Sequence, residues 1–339
     1  MSDYAKMLDA GRQAVMLASG VCREVQASLE EVRQITKDDR SPVTVADFAS
    51  QAVVARVLTD LLGKDIILVG EEDSKFLRQD EHRAHLEAVT AAVGDVFKGI
   101  TADEVLELID VGDGDPHHAG FWTLDPVDGT KGFLRGQQYA VALAFVERGE
   151  VVVGAMGCPN LPANFDAPLD ERDPKGCLYE AIKGDGAYEI VGKGSPTRLR
   201  RMDVQPGAPI SICASVEKAH SNVSDTDRIL EYIATNSGHA TGEPVRLDSQ
   251  CKYAVTARGQ ADAYLRMPTR AGYVERIWDH AAGSLIATEA GCFVTDIFGR
   301  ALDFSKGRGL EANKGIVCAP PRVHGLAIGA IEALQIKPA

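Results

Sequence analysis

Met7, Ala10, Ala14, Leu17, Val21 and Val25 recur every three or four residues, which predicts one amphipathic helix at the start of the chain. A polar loop from Lys37 to Thr44 leads into a second helix over 46–54, with Asp47 near its start. The run Asp65–Val69 has no helical period and reads as a short buried strand ending at Gly70-Glu71-Glu72-Asp73. Residues 74–118 are charged and mostly helical in pattern, and are expected to form a peripheral excursion or lid. Apolar runs at Tyr139–Phe145 and Val151–Met156 flank Glu147-Arg148-Gly149-Glu150, a hairpin signal. Leu178–Ile182 and Ala187–Ile190, around Lys183-Gly184-Asp185-Gly186, predict a second hairpin.

Past Pro159 the pattern changes. Strand candidates at Ile210–Ala214, Ala261–Met267, Cys292–Thr295 and Gly315–Ala319 alternate with helix candidates over 224–235, 248–258, 278–290 and 322–335. Such alternation predicts an α/β unit with helices covering a sheet. A soft boundary near residue 158 divides an N-terminal α+β unit (1–158) from a C-terminal α/β unit (159–339), the two packing as one rigid body.

Composition narrows the class. At 339 residues, 45% hydrophobic and 25% charged, the chain has an ordinary soluble composition and can build a substantial core. A net charge of −13 argues against a general nucleic-acid binder, which needs a broad basic face. It leaves room for a phosphorylated substrate, because bound metal can reverse the local field. There is no apolar run of about 18 residues to span a membrane. The opening Met1–Lys6 has early charges and no apolar stretch, so no secretory signal is expected. Seven cysteines without a Cys-x-x-Cys pair fit reduced core thiols in a cytoplasmic protein.

The densest chemistry lies in Asp125-Pro126-Val127-Asp128-Gly129-Thr130. A hard divalent cation takes oxygen ligands at short range, and Asp125, the Val127 carbonyl and Asp128 all supply them. The N–H groups of Gly129 and Thr130, at what reads as a helix start, can face an anion. Asp, Pro and Gly also favour plain turns, so an acidic surface turn competes with the metal–phosphate reading. Glu71 follows a strand, where side chains commonly enter a cleft; with Glu72 and Asp73 it can equally form a solvated acidic turn. Asp279, in Trp278-Asp279-His280-Ala281-Ala282-Gly283, has helix N-cap as its default role. His280 is set aside as a ligand because a hard cation prefers oxygen. His82 and His85 read as an exposed pair without a third ligand, and Trp278 as core.

Taken in order, Asp47, Gly70-Glu71-Glu72, Asp125–Thr130 and Trp278–Gly283 resemble the inositol monophosphatase superfamily of Mg2+-dependent, Li+-sensitive phosphatases, from about residue 41 to the C-terminus. The strings Lys131–Gly136, Val216–His220, Leu247–Tyr253 and Tyr264–Pro268 are similar to its 3′(2′),5′-bisphosphate nucleotidase branch. This resemblance implies a layered αβαβα sugar-phosphatase fold. It implies hydrolysis of the 3′-phosphate of adenosine 3′,5′-bisphosphate (PAP), and action on 3′-phosphoadenylyl sulfate, in sulfate assimilation and nucleotide detoxification.

The resemblance also assigns residues. Glu71, Asp125 and the Val127 carbonyl would hold one Mg2+; Asp125, Asp128 and Asp279 would hold a second; Glu71 and water would share in a third. Asp47 and Thr130 become a proton-abstracting pair. Gly129, Thr130, His220, Ser249, Lys252, Arg266 and Asp279 become substrate contacts, with Ser249 and Lys252 on one face of the 248–258 helix. An inositol polyphosphate 1-phosphatase or monophosphatase is the enzyme alternative, and a catalytically silent nucleotide-binding regulator the other. The expected protein is a cytoplasmic monomer with a small-molecule partner and no nucleic acid or membrane.

Overall fold

A computed structural model describes residues 3–33, 41–216, 223–268 and 272–337. Its elements are α1 (Asp3–Arg33), α2 (Ser41–Leu62), β1 (Leu68–Gly70), α3 (Arg83–Val96), α4 (Ala102–Asp110), β2 (Gly120–Asp128), α5 (Thr130–Arg135), β3 (Ala140–Glu147), β4 (Glu150–Cys158), β5 (Cys177–Ile182) and β6 (Gly186–Val191). They continue with β7 (Thr197–Arg198), β8 (Ile212–Ala214), α6 (Val223–Ser237), β9 (Val245–Arg246), α7 (Cys251–Ala257), β10 (Ala263–Arg266), α8 (Ala281–Ala290), β11 (Phe293–Thr295), β12 (Ile316–Ala319) and α9 (Pro321–Ala333).

Two sheets organise these elements. Strands β1 to β7 form one in chain order, antiparallel except for the parallel β1–β2 pair. The other runs β11-β12-β10-β8-β9. Strand period divides the core. Val141 and Leu143 of β3 face a cluster with Ala14, Val15 and Ala18 of α1 and Ala49 and Val53 of α2. Ala140, Ala142 and Ala144 face the opposite cluster, which holds α7 and α8. Beyond that helix pair, Leu265 and Val317 of the second sheet bury Ile229 and Ile233 of α6 and Ala327 and Ile331 of α9. The order is helix, sheet, helix, sheet, helix, the αβαβα layering expected from the sequence.

Both hairpins are present. Arg148 and Gly149, at φ 51° and 81°, make the two-residue left-handed turn that suits strand twist. Several expectations need correction. Helix α1 buries Ala10, Ala14, Ala18 and Val21, while Leu17 is 41% exposed on its outer side. Helix α2 begins at Ser41, so Asp47 lies in its second turn and not at its start; the loop expected through Thr44 is helical from Ser41, and proline is compatible with a first helical turn. Residues 74–118 are no lid. Val89, Val93, Val105 and Ile109 are fully buried and join the α1–α2 core. The division expected near residue 158 falls inside the first sheet, because β4 and β5 pair through Cys158↔Cys177; the change of sheet comes between Arg198 and Ile212.

The middle helical layer is close-packed through small residues. A Cβ on Gly283 of α8 would come within 2.3 Å of the Tyr253 ring on α7. Helix propensity alone would make Gly283→Ala stabilising by about 1 kcal/mol, whereas overpacking of this kind costs about 1–3 kcal/mol. We expect a net loss of stability, read as a lower urea midpoint at unchanged slope.

Candidate active site

Asp125 and Asp128 are three residues apart, a spacing that sends side chains to opposite faces of a regular strand. Strand β2 avoids this by a bulge: Asp125 pairs with Ala142 and Asp128 with Ala140, leaving one extra residue between them. Pro126, which has no N–H to give the ladder, sits inside the irregularity, where proline is tolerated. Its carbonyl accepts from the Ser50 hydroxyl of α2 at 2.9 Å, and the Val127 N–H donates to Asp125 Oδ1 at 3.1 Å. Both carboxylates therefore line one cleft. Gly129 follows at φ 92° as N-cap of α5, so Thr130 is the first helical residue. A side chain at Gly129 would also meet Ser249 Cβ at 2.7 Å.

The cleft, a cavity of about 190 Å³, is lined by Glu71, Asp125, Val127, Asp128, Gly129, Thr130, Ser249, Lys252, Arg266 and Asp279, joined by Gln250 and Tyr264. Asp47 stands outside this lining, in the field of Glu72 and Glu71. His220 lies outside the described residues. Ser249 precedes α7 in a left-handed conformation, φ 67°, and accepts from the Cys251 N–H at 3.2 Å. It therefore does not share a helix face with Lys252, although both enter the cleft.

Electrostatics single out the carboxylates. Burial, then Glu71, Asp128 and Asp279, push the Asp125 carboxyl well above its ordinary value. Burial and Asp128 raise Asp279 to about 8. Glu71 is raised by burial and then Asp128; burial likewise raises Asp128, against Lys252 and the Gln250 N–H. Burial and Glu71 bring Glu72 to about 7, and Asp47 is raised by burial, Glu72 and Glu71. Lys252, over the Tyr264 ring at 5.3 Å, is lowered by burial despite Asp128 and Asp248. This is a cluster of oxygen donors whose negative charges cannot coexist without compensation, and the donor chemistry fits a hard divalent cation.

Four residues that sequence reasoning passed over hold the site together. Gln51 of α2 accepts from the Glu72 N–H at 3.1 Å and donates to the Glu72 carbonyl at 2.7 Å and the Ile109 carbonyl at 2.9 Å, pinning the turn that carries Glu71. Cβ atoms at Gly70 and Gly112 would each come within 2.4 Å of its amide, so both glycines make room for it. Glu275 grips Arg266 through two bonds of 2.9 and 2.8 Å and meets His280 Nε2 at 3.3 Å. Burial pushes Glu275 up, but these partners hold it at about 2. Asp248 pairs with Arg135 and accepts from Ser215 Oγ at 2.9 Å, tying the end of α5 to the segment that follows β8 of the second sheet. Gln250 links Asp128 to the Asp279 loop.

Glu275, Asp279 and His280 bring ligand atoms within 4.8 Å of one another. Glu275 is already committed to Arg266 and His280, and His280 Nδ1 lies 2.9 Å from Tyr253 Oη, so this group is a hydrogen-bond network. His82 stacks on Phe76 at 3.7 Å and His85 meets the same ring edge-on, a packing role. Trp278 is buried, as expected of core, with Arg276 and Arg308 against its ring.

A layered αβαβα fold with this acidic cleft defines a class, and the model of the inositol monophosphatase family matches residues 4–335. The chain belongs to that family. It is 40% identical over 341 residues to a 3′(2′),5′-bisphosphate nucleotidase of Schizosaccharomyces pombe, covering 96% of this chain and 94% of the relative. To 3′(2′),5′-bisphosphate nucleotidase 1 of Arabidopsis thaliana it is 42% identical over 305 residues, covering 85% and 84%. Among solved structures, Mycobacterium tuberculosis SuhB shares the fold at TM-score 0.61 and 20% identity over 99% of both chains. CysQ from Bacteroides thetaiotaomicron does so at 0.58 and 20% identity, covering 94% and 98%. No helix among the described residues is long and apolar enough to cross a membrane.

The raised carboxyls give a pH dependence with a definite sign. Asp47, Glu71, Glu72, Asp125, Asp128 and Asp279 hold protons more tightly folded than unfolded, so folding takes up protons and stability falls as pH rises from about 4 to about 8. Buried His280, with a lowered pKa, pulls the other way as a single imidazole. In chelator, the melting temperature is expected to drop between about pH 5 and pH 8, and a divalent cation to restore it chiefly at the higher pH. A profile rising toward pH 8 in chelator would remove the carboxylate repulsion from this picture.

Proposed function

We propose that the protein hydrolyses the 3′-phosphate of PAP to give AMP and phosphate, using Mg2+. One observation carries the reading. Lys252, Tyr264 and Arg266 line both the carboxylate cleft and a second cavity of about 180 Å³ whose walls include Ile212, Leu230, Pro244 and Thr226. An acidic chamber beside a mixed apolar and polar pocket, with two cations at their junction, suits a nucleoside carrying two phosphates. The 3′-phosphate would enter the acidic chamber, and the 5′-phosphate would remain near the Lys252 and Arg266 cations. The names of the curated relatives support the same substrate.

Glu71, Asp125 and the Val127 carbonyl are the proposed ligands of one ion, Asp125, Asp128 and Asp279 of a second, with Glu71 sharing in a third. Bound Mg2+ would supply a nucleophilic water at neutral pH and charge stabilisation for the leaving oxygen. Asp47 is the proposed acceptor of a proton passed through the Thr130 hydroxyl, since a carboxyl raised toward neutrality is better matched to that task than an ordinary one. Arg266, held in fixed orientation by Glu275, offers a guanidinium suited to paired hydrogen bonds with phosphate. Lys252 adds a point charge whose lowered pKa, due first to burial, reflects its dry setting. Ser249, and the Gly129 and Thr130 N–H groups, complete the proposed contacts with His220. The same reading extends to 3′-phosphoadenylyl sulfate, to Li+ inhibition, and to a cytoplasmic monomer serving sulfate assimilation and nucleotide detoxification.

Phosphate release from PAP, inositol 1-phosphate and inositol 1,4-bisphosphate, with Mg2+ and with Li+ added, tests this. A strong preference for PAP, loss of activity without Mg2+ and inhibition by Li+ are expected; equal or faster turnover of an inositol phosphate would overturn the substrate assignment. Asp47→Asn should retain the fold and Mg2+ binding while turnover falls by about 10²–10⁴-fold, the range for positioned acid–base groups. Unchanged turnover would exclude Asp47 from proton transfer.

A further inference from the structure

Asp128 ends β2 in the first sheet, and Asp279 precedes α8. They are far apart in sequence, and the charge of Asp128 is the largest cause, after burial, of the rise at Asp279. Left to themselves, the two carboxylates would move apart. Gln250, 2% exposed, stands between the segments that carry them.

Its backbone N–H donates to Asp128 Oδ2 at 2.5 Å. Its side-chain Nε2 donates to the Trp278 carbonyl at 2.8 Å, next to Asp279, and its Oε1 accepts from the Gly283 N–H at 3.0 Å in the first turn of α8. The turn that presents it is itself fixed, with Ser249 in the left-handed region and Cys251 Sγ donating to the Tyr139 carbonyl at 3.2 Å. We propose that Gln250 is a positioning residue that sets the separation of Asp128 and Asp279, and hence the affinity for the cation they share. This rests on the reading above that the two carboxylates share an ion.

The residue type matters. A primary carboxamide donates to a carbonyl and accepts from an N–H at once, with no charge. A lysine or arginine would supply donors but bring a positive charge beside the carboxylates, in competition with the cation. A glutamate would lose the bond to the Trp278 carbonyl and add a further negative charge. A neutral amide braces the pair without neutralising it.

Mg2+ titration by calorimetry on the full chain, with no nucleotide present, tests the proposal. Wild type is expected to show at least two Mg2+ sites. Gln250→Met, similar in length but without hydrogen-bonding capacity, should weaken one site by about 10–100-fold, the usual effect of removing a group that orients a metal ligand. The site built on Glu71, Asp125 and the Val127 carbonyl should change by less than about twofold, well below that range. Gln250→Asn, with the right chemistry but too short a reach, should show the same one-site loss and covers the case in which Gln250→Met fails to fold. With PAP, the Mg2+ concentration for half-maximal rate should rise while kcat at saturating Mg2+ is largely kept. Wild-type binding in both variants would overturn the proposal. So would equal weakening of both sites in step with a fall in melting temperature, since that is a general structural effect. Absence of Mg2+ binding in the wild type would instead remove the metal reading beneath it.

Discussion

Asp125, Asp128, Asp279 and Glu71 hold their carboxylates in one cleft where burial pushes every one of them toward protonation, and neighbouring carboxylates push Asp125, Asp279 and Glu71 further. Such an arrangement lowers stability unless something else maintains it, because each charge is removed from water and placed near its like. The rest of the structure can be understood as what maintains it. The β2 bulge is rigid because Pro126 cannot join the ladder and its carbonyl is fixed by Ser50. The Glu71 turn is locked by Gln51, and the Asp279 loop by Gln250. These supports are neutral amides and hydroxyls. Where cations do approach, Arg266 is paired with Glu275, and both it and Lys252 stand at the junction with the second cavity. Acidic groups therefore predominate away from that junction, and positive charge collects where, on the proposed reading, a second phosphate would sit.

The layering serves that geometry. Alanines on one side of β3 let the α7–α8 pair approach the first sheet closely, and Gly283 lets α8 lie against Tyr253. Helix α7 carries Lys252, and Asp279 lies just before α8, so the middle helical layer brings both groups up against the end of β2. Arg135–Asp248 adds a direct bond between the end of α5 and the turn before α7. The cleft is thus formed from both sheets' neighbourhoods, and neither half of the chain contains it alone.

Much of this was legible in the sequence, for a physical reason. Asp125, Val127 and Asp128 announce themselves because their roles depend on a few consecutive residues whose turn chemistry is local. Strands β3 to β6 were equally plain, since short apolar runs joined in pairs by Gly turns leave few alternatives. What stayed hidden depends on distance. Gln51 and Gln250 are single polar residues within apolar or mixed stretches, and their partners lie elsewhere in the chain. A buried glutamine carries no local signature, because its role is defined by the carbonyl and N–H it finds after folding. The expected lid over 74–118 failed through composition: surface charge on α3 and α4 masks the five apolar residues that place both helices in the core. Ser249 failed through backbone, as a left-handed residue broke the helical spacing assumed for it.

The proposed function also divides the labour of substrate choice. On that reading the carboxylates address only a phosphoryl group and its ions, which a nucleotide and an inositol phosphate share. Discrimination then falls to the neighbouring cavity and to Lys252 and Arg266, which line both. Arg266 is poised for it: Glu275 occupies one edge of the guanidinium, fixes its plane and leaves the charge directed by two hydrogen bonds and not by a mobile chain. A fixed guanidinium selects by distance as well as by charge. A ligand whose two phosphates are separated by a ribose can span from the carboxylates to Arg266 and Lys252, whereas a monophosphate can satisfy only one end. Under the proposed function, specificity is a property of spacing between two sites, and the residues that keep that spacing matter as much as those proposed to touch the substrate.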